Sequence, residues 1–224
     1  WHFANGEAIH DTRPWIVTNE GPIWFTRRRD EDTVYAFITG ESEWPRGQRR
    51  GFTLGSVSAT EETEVSVLGH GGVICEYMPT KDPTPCWSED EAGLQLSIVR
   101  AQRLYNNSRW PNPMVVKLTH VKSALQPPVV QTLDVTQAPQ QFVGELTEMG
   151  DSESLQLGFE FRRYAGFVEE LYSKGWQRTD LQTCTAPGEF RANLPDLEPG
   201  RYQVRAVVVH PRLTRHGDHV RFSA

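Results

Sequence analysis

The sequence is short of the residues that announce a metal or redox centre. Only three cysteines occur in 224 residues, Cys75, Cys86 and Cys184. They form no CxxC pair and no Cys–His pair at ligand spacing, so no metal or cofactor is expected. Cys75 and Cys86 can bridge across a short loop, and the odd count then leaves one thiol over. Apolar runs long enough to span a bilayer are missing too, so no membrane partner is expected. Positive charge is scarce: 23 Lys and Arg face 29 Asp and Glu, a formal net charge of -6. That balance argues against a nucleic-acid partner, which needs a concentrated basic surface. "RRRDED" (Arg27 to Asp32) sets three anions directly after three cations and reads as a solvated hairpin tip. No sustained helical stripe occurs. The nearest approach, "YAGFVEELYSK" (Tyr164 to Lys174), fits one short helix or a strand with an irregular edge. The chain opens on Trp1 rather than Met, as expected of a processed or partial chain.

What the sequence does have is short alternating runs. "TVYAFIT" (Thr33 to Thr39) is β-branched and aromatic, and "GFTLGSVSA" alternates Phe52 and Leu54 with Thr53 and Gly55. "EVSVLG" (Glu64 to Gly69) and "GLQLSIV" (Gly93 to Val99) repeat the pattern, the latter with Leu94, Leu96 and Ile98 facing one way. "PMVVKLTHV" is a longer apolar run ending at Val121. Such runs, separated by Gly, Pro, Asn and Asp, predict an antiparallel sandwich or barrel.

"KSALQPP" (Lys122 to Pro128) marks the boundary, because paired prolines cannot continue a central strand. A second set of strands follows: "VVQTLDVT", "QFVGELTEM", "LQLGFEFRRY", "GEFRANL", "GRYQVRAVVVH" and "HVRFSA". The expected class is therefore all-β, with two antiparallel β-sandwiches in tandem over 1–122 and 123–224. A short helical remnant is allowed at the N-terminus. Gln126 to Pro128 is expected to be the exposed connector. In "LPDLEPGRYQVRAVVV" a Pro-Gly turn delivers Tyr202 to a long strand, where sandwich domains place a tyrosine that ties down the preceding corner. Trp176 is the expected core aromatic on a facing strand. This second stretch resembles fibronectin type III modules.

The chemistry-bearing residues read blandly. Glu41 and Glu43, Glu61, Glu62 and Glu64, Glu89 to Glu91, and Glu169 and Glu170 lie in loops or charge runs and predict solvated faces. His216 and His219 sit in a predicted hairpin turn, expected to face water without a third ligand. "GHGG" (Gly69 to Gly72) lacks the Lys and helix of a phosphate loop. Trp44, Trp110 and Trp176, near predicted strand ends or loops, are candidates for stacking on sugar rings; burial is the stronger expectation. Trp15, Trp24 and Trp87 look structural. "NNS" (Asn106 to Ser108) matches a glycosylation acceptor.

The opening string "NGEAIHDTRPW" carries the most specific signal. Gly6 can end a helix through a positive φ, Pro14 breaks any continuation, and Trp15 offers a large apolar face. Glu7 and Arg13 can pair across the junction. The string is followed in order by "WFT" (Trp24 to Thr26), "VYAFI" (Val34 to Ile38), "WP" (Trp44, Pro45) and "VSVLG" (Val65 to Gly69). Trp87 with "GLQLSI" and then "PMVVKLT" (Pro113 to Thr119) complete the series. Together these motifs resemble the C-terminal part of α-L-fucosidases of the glycoside hydrolase family 29 type. His10 departs from the tyrosine usual there.

The resemblance implies a retaining glycosidase built as a (β/α)8 barrel followed by a β-sandwich, with a secreted or periplasmic location. Its paired carboxylates, which a retaining enzyme needs about 5 Å apart, belong to a barrel upstream of Trp1. No catalytic residue is carried onto this chain. Residues 1–15 then read as the barrel-exit segment, with Gly6, Glu7, Ile9, Arg13, Pro14 and Trp15 docking the missing N-terminal barrel. A fucosylated glycan reaches the protein through that parent enzyme. The competing expectation is a carbohydrate-binding or surface-attachment module. For Trp15, inward packing on the first sandwich is favoured over service to the barrel alone.

Overall fold

The computed structural model describes residues 1–39, 44–70, 80–101, 113–137, 140–164 and 175–224. The chain divides by its contacts into Trp1–Leu125 and Gln126–Ala224. Both units are antiparallel β-structure, with one short helix at the N-terminus. This is the expected all-β class.

In the first unit, helix α1 (His2–Asn5) and a 3-10 turn (Gly6–Ala8) precede ten strands among the described residues. These are β1 (Thr12–Glu20), β2 (Ile23–Arg28), β3 (Val34–Ile38), β4 (Arg49–Leu54) and β5 (Val57–Ser58). β6 (Glu64–Val67), β7 (Cys86–Asp90), β8 (Gly93–Val99), β9 (Met114–Thr119) and β10 (Lys122–Ser123) follow. One sheet runs β1-β2-β3-β9-β6, a second runs β4-β8-β7, and β10 pairs with β5. Strand alternation decides what fills the space between the two larger sheets. Phe25, Val34, Ala36, Ile38, Val116 and Leu118 from the first share a core with Leu54, Leu94, Leu96 and Ile98 from the second.

Strand β1 belongs to the first sheet, and two of its side chains reach the turn between β4 and β5. Trp15 packs partly buried against this core, and its indole N–H donates to Ser56 Oγ at 3.2 Å. The Glu20 carboxylate accepts from the backbone N–H groups of Gly55 (2.8 Å) and Ser56 (2.7 Å). Of the two expectations for Trp15, the indole takes the inward one. The "RRRDED" stretch turns the β2–β3 hairpin, closed by Arg28 N–H donating to Thr33 O at 2.9 Å.

Several expectations give way here. "GFTLGSVSA" is two strands, parted by the turn at Gly55 and Ser56 that Glu20 caps. The run through Val121 stops at Thr119, because His120 takes a left-handed φ of 54°. The helical segment stops at Ala8, before Pro14, as expected. Pro14 itself lies inside β1, an edge strand where its missing N–H costs little. Trp44 is buried at 2% exposure, edge-on to Phe52, and donates to Gln48 O at 2.9 Å, so no sugar can stack on it. Trp24 and Trp87, expected to be structural, are 48% and 37% exposed. Trp110, Cys75 with its proposed bridge, "NNS" and 165–174 of the ambiguous segment lie outside the described residues.

The second unit sets β11 (Val129–Gln137), β12 (Gln140–Glu148) and β16 (Gly188–Asn193) in one sheet. The other sheet holds β13 (Leu155–Arg163), β14 (Gln177–Arg178), β15 (Gln182–Cys184), β17 (Arg201–His210), β18 (Leu213–His216) and β19 (Val220–Ser223). There β13 and β17 pair centrally, β14 and β15 share the far side of β13, and β18 and β19 share the far side of β17. Phe142 and Leu146 of β12 meet Leu157, Phe159, Val204 and Ala206 between the sheets. The Tyr202 hydroxyl donates to Glu198 O at 3.0 Å, tying down the preceding corner.

Trp176 is not core. It sits half-buried on the outer face beneath the guanidiniums of Arg162 and Arg205. The Gln126–Pro128 stretch is not a fully exposed connector either: Pro128 is buried. Asp151 N–H donates to Gln126 O at 3.0 Å. Gly150, at φ 66°, lies so close to Gln126 and Pro127 that a Cβ there would collide with their backbone.

The two units make separable predictions. Trp15→Ala should lower the denaturant stability of the first unit by about 2–4 kcal/mol, through lost burial. Tyr202→Phe should cost the second unit about 1 kcal/mol, one buried hydrogen bond. Denaturant titrations of each variant, read by tryptophan fluorescence and circular dichroism, check both values.

Candidate functional site

The outer face of the five-stranded sheet is where the first unit departs from a simple sandwich. On β3 the residues pointing away from the core are Tyr35 and Phe37, and on β9 they are Val115 and Lys117. Tyr35 and Val115 are nevertheless buried, at 0% and 1% exposure, because the N-terminal segment lies over them with Ala8 at 0%. Phe37 and Leu68 flank this small second core.

Polar bonds fix the segment in place. The Trp1 indole N–H donates to Pro113 O at 2.7 Å, and Thr26 Oγ donates to Ala8 O at 2.8 Å. Glu7 Oε2 accepts from the Tyr35 hydroxyl at 3.1 Å and from Lys117 Nζ at 2.8 Å. The hydrogen bond from Lys117 holds the Glu7 carboxyl below its ordinary value, and the same bond raises the Lys117 ammonium. Burial pushes the Tyr35 phenol up, so it stays protonated and donates.

Around this clasp, large apolar groups remain in water. Trp1 is 42% exposed, Phe3 107%, Ile9 44% and Trp24 48%. Trp24 stands in one cross-strand row with Phe37 and Val115. Single exposed apolar residues are ordinary, whereas a concentration of them marks an interaction surface. The chemistry available here is apolar packing, oriented by a half-buried ion pair.

The residues expected to dock a barrel do not all share this face. Gly6 has an ordinary helical φ of -58°, so it continues α1 into the 3-10 turn instead of ending a helix by positive φ. Glu7 pairs with Lys117 and Tyr35, not with Arg13. Arg13 and Pro14 are exposed on β1, opposite Arg27 and Thr26. Ile9 is exposed beside the clasp, and Trp15 turns to the core. His10, where tyrosine is usual, meets His2 through Nε2 at 3.1 Å.

Lys117, Tyr35 and Thr26 were missed by reasoning on the opening string alone. Their signal was a lysine inside "PMVVKLT" and a tyrosine inside "VYAFI", each on the polar beat of an alternating strand. Of the other candidates, Glu61, Glu62, Glu64, Glu89 and Glu91 are exposed. Glu41, Glu43, Glu169 and Glu170 lie outside the described residues, as do Gly71 and Gly72 of "GHGG". His216 does not simply face water: its Nε2 is 3.1 Å from Glu160 Oε2.

No family model matches the chain. Part of it is 36% identical over 76 residues to plasma alpha-L-fucosidase of Rattus norvegicus, covering 32% of this chain and 15% of that protein. It is 32% identical over 101 residues to the alpha-L-fucosidase of Branchiostoma floridae, covering 38% of this chain and 21% of that protein. Plasma alpha-L-fucosidase of Homo sapiens is 36% identical over 75 residues, with 32% and 15% covered. The chain thus spans between 15% and 21% of the length of these curated relatives. A region of the chain is related to α-L-fucosidases.

The clasp has a pH signature. Because the Glu7 pKa is lowered on folding, its stabilisation is present above the unfolded value near 4.5 and is lost as pH falls through the folded value. Glu7→Gln should therefore cost at most about 1 kcal/mol at pH 7, given its partial exposure. The parent and variant unfolding curves should converge as pH drops below 4.5. A constant gap down to strongly acidic pH would contradict the assignment.

Proposed function

We propose that this chain is a non-catalytic C-terminal accessory region of an α-L-fucosidase-like glycoside hydrolase. The parent enzyme hydrolyses α-L-fucosides with retention in an N-terminal (β/α)8 barrel, and a fucosylated glycan meets that barrel. No catalytic residue, metal or cofactor is assigned to the chain itself. The observation that carries the reading is the outer face of the first unit. There Trp1, Phe3, Ile9 and Trp24 stay exposed around a segment fixed by Glu7, Lys117 and Tyr35. Its occupant in this reading is the barrel, and the local identity to α-L-fucosidases supports that choice.

The docking surface is consequently narrower than the opening string. Gly6, Glu7 and Ile9 belong to it, Arg13 and Pro14 border it along β1, and Trp15 supports it from behind. The second unit is read as a fibronectin-III-like module. Its three-stranded sheet facing a sheet centred on β13 and β17, and its Tyr202 corner, support this. A secreted or periplasmic location accompanies the reading, supported by the plasma relatives.

Two experiments test it. The chain alone should not hydrolyse an aryl α-L-fucoside; turnover abolished by substituting one of its own carboxylates would overturn the assignment. In a chain carrying the barrel ahead of Trp1, Phe3→Asp and Trp24→Asp should lower the barrel's unfolding temperature. In the isolated chain Phe3→Asp should shift stability by less than about 0.5 kcal/mol, since that ring is fully exposed, and Trp24→Asp, whose ring is half covered, by about 1 kcal/mol. Equal effects in both settings would argue against a docking role.

A further inference from the structure

The outer face of the larger sheet in the second unit gathers cations on a chain whose net charge is -6. Cross-strand register places Arg178 of β14 and Arg205 of β17 on either side of Glu160 of β13. Arg178 directs Nε (3.1 Å) and Nη2 (2.5 Å) at Glu160 Oε1. Arg205 directs Nε (2.9 Å) and Nη2 (2.6 Å) at Glu160 Oε2. His216 approaches the same Oε2. Burial alone would raise the Glu160 pKa, but the bonds from Arg178 and Arg205 outweigh it and hold the carboxyl below its usual value. One carboxylate, 8% exposed in its side chain, thus serves two guanidiniums and an imidazole.

Cation–aromatic contacts lie beside this cluster. Arg162 lies 4.5 Å and Arg205 4.2 Å from the centre of the Trp176 ring, and Arg221 lies 4.3 Å from that of Tyr164. A guanidinium stacked on a ring spends its face and keeps its in-plane N–H edge for an oxyanion. Arg221 is exposed on β19, and Arg178 keeps 42% of its side chain in water. Each arginine bound to Glu160 uses only its Nε and Nη2 there, leaving Nη1 unspent on that carboxylate.

We propose that this face binds an acidic polysaccharide, one bearing sulfate or uronate groups, through Arg178, Arg205 and Arg221. The platform is a rigid sheet face whose central strands β13 and β17 are paired on both sides. A peptide adding a strand would pair at the outer strands β14, β15, β18 or β19, not on this face. Among the described residues, the rows through Glu160 and Arg162 expose charged groups beside two aromatic rings, while Val207, further along the same face of β17, is buried; these rows offer cations rather than the apolar wedge that seats a protein in a lipid surface. Planar guanidinium edges match sulfate and carboxylate oxygens in the bidentate manner that ammonium groups do not. All of these residues belong to the second unit.

The test is retention of the whole 224-residue chain on immobilised heparin at about 50 mM salt, where phosphate-like and sulfate-like contacts are strong. The chain should bind, and elute as salt rises. Arg221→Ala and Arg178→Ala should each weaken binding about five- to tenfold and reduce the salt slope by about one. Arg221 makes no bond to Glu160, so its variant keeps the result readable even where loss of Arg178 loosens that carboxylate; a melting curve checks the fold of both. Competition by alginate assigns the carboxylate form of the ligand, and competition by sulfated polymers alone assigns the sulfate form. Absence of retention, retention unchanged in both variants, or equal competition by dextran or polyglutamate would overturn the proposal.

Discussion

Strand β3 is buried on both of its faces, and that condition organises the first unit. Val34, Ala36 and Ile38 enter the core between the sheets, while Tyr35, facing the other way, is also at 0% exposure. Antiparallel sheets commonly leave one face to water and then show polar residues on it. Here the second face is partly apolar, so something has to cover it. The N-terminal segment does so with Ala8, and the polar bonds of Trp1, Glu7 and Thr26 set where it lies.

Magnitudes separate holding from aiming. An ion pair as exposed as Glu7–Lys117 contributes about 1 kcal/mol or less. Covering an aromatic side chain such as Tyr35 is worth on the order of 2–3 kcal/mol. Burial therefore holds the segment down, and the carboxylate chooses its position along β3 and β9. The same division recurs in the second unit. Phe142, Phe159 and Phe161 supply the burial, while the Glu160 cluster fixes how the two-residue strand β14 and Trp176 lie against the sheet.

Alternation made most of the fold legible. Leu94, Leu96 and Ile98, or Leu155, Leu157, Phe159 and Phe161, carry a period of two that only a half-buried strand explains. Strands lacking that signal were missed for the same physical reason. β7 is exposed along its whole length, and β14 has two residues, both exposed. The opening string was legible as special but not as geometry. Its most visible pair, Glu7 and Arg13, is close in sequence, yet the carboxylate found a lysine 110 residues away. Trp176 misled because an aromatic near a strand predicts burial. Two arginines instead made its ring stable at the surface, an arrangement that depends on register across three strands and is invisible along one.

The N-terminal segment is a structural lid on β3, fixed over Tyr35 and Val115 by Ala8 and Glu7. Removing residues 1–11 and measuring the denaturant midpoint together with binding of an apolar fluorescent dye tests it directly. The account predicts a loss of about 2–4 kcal/mol from exposing Tyr35 and Val115, accompanied by new dye binding. An unchanged midpoint with no dye binding would show that the outer face of β3 needs no cover, and would contradict it.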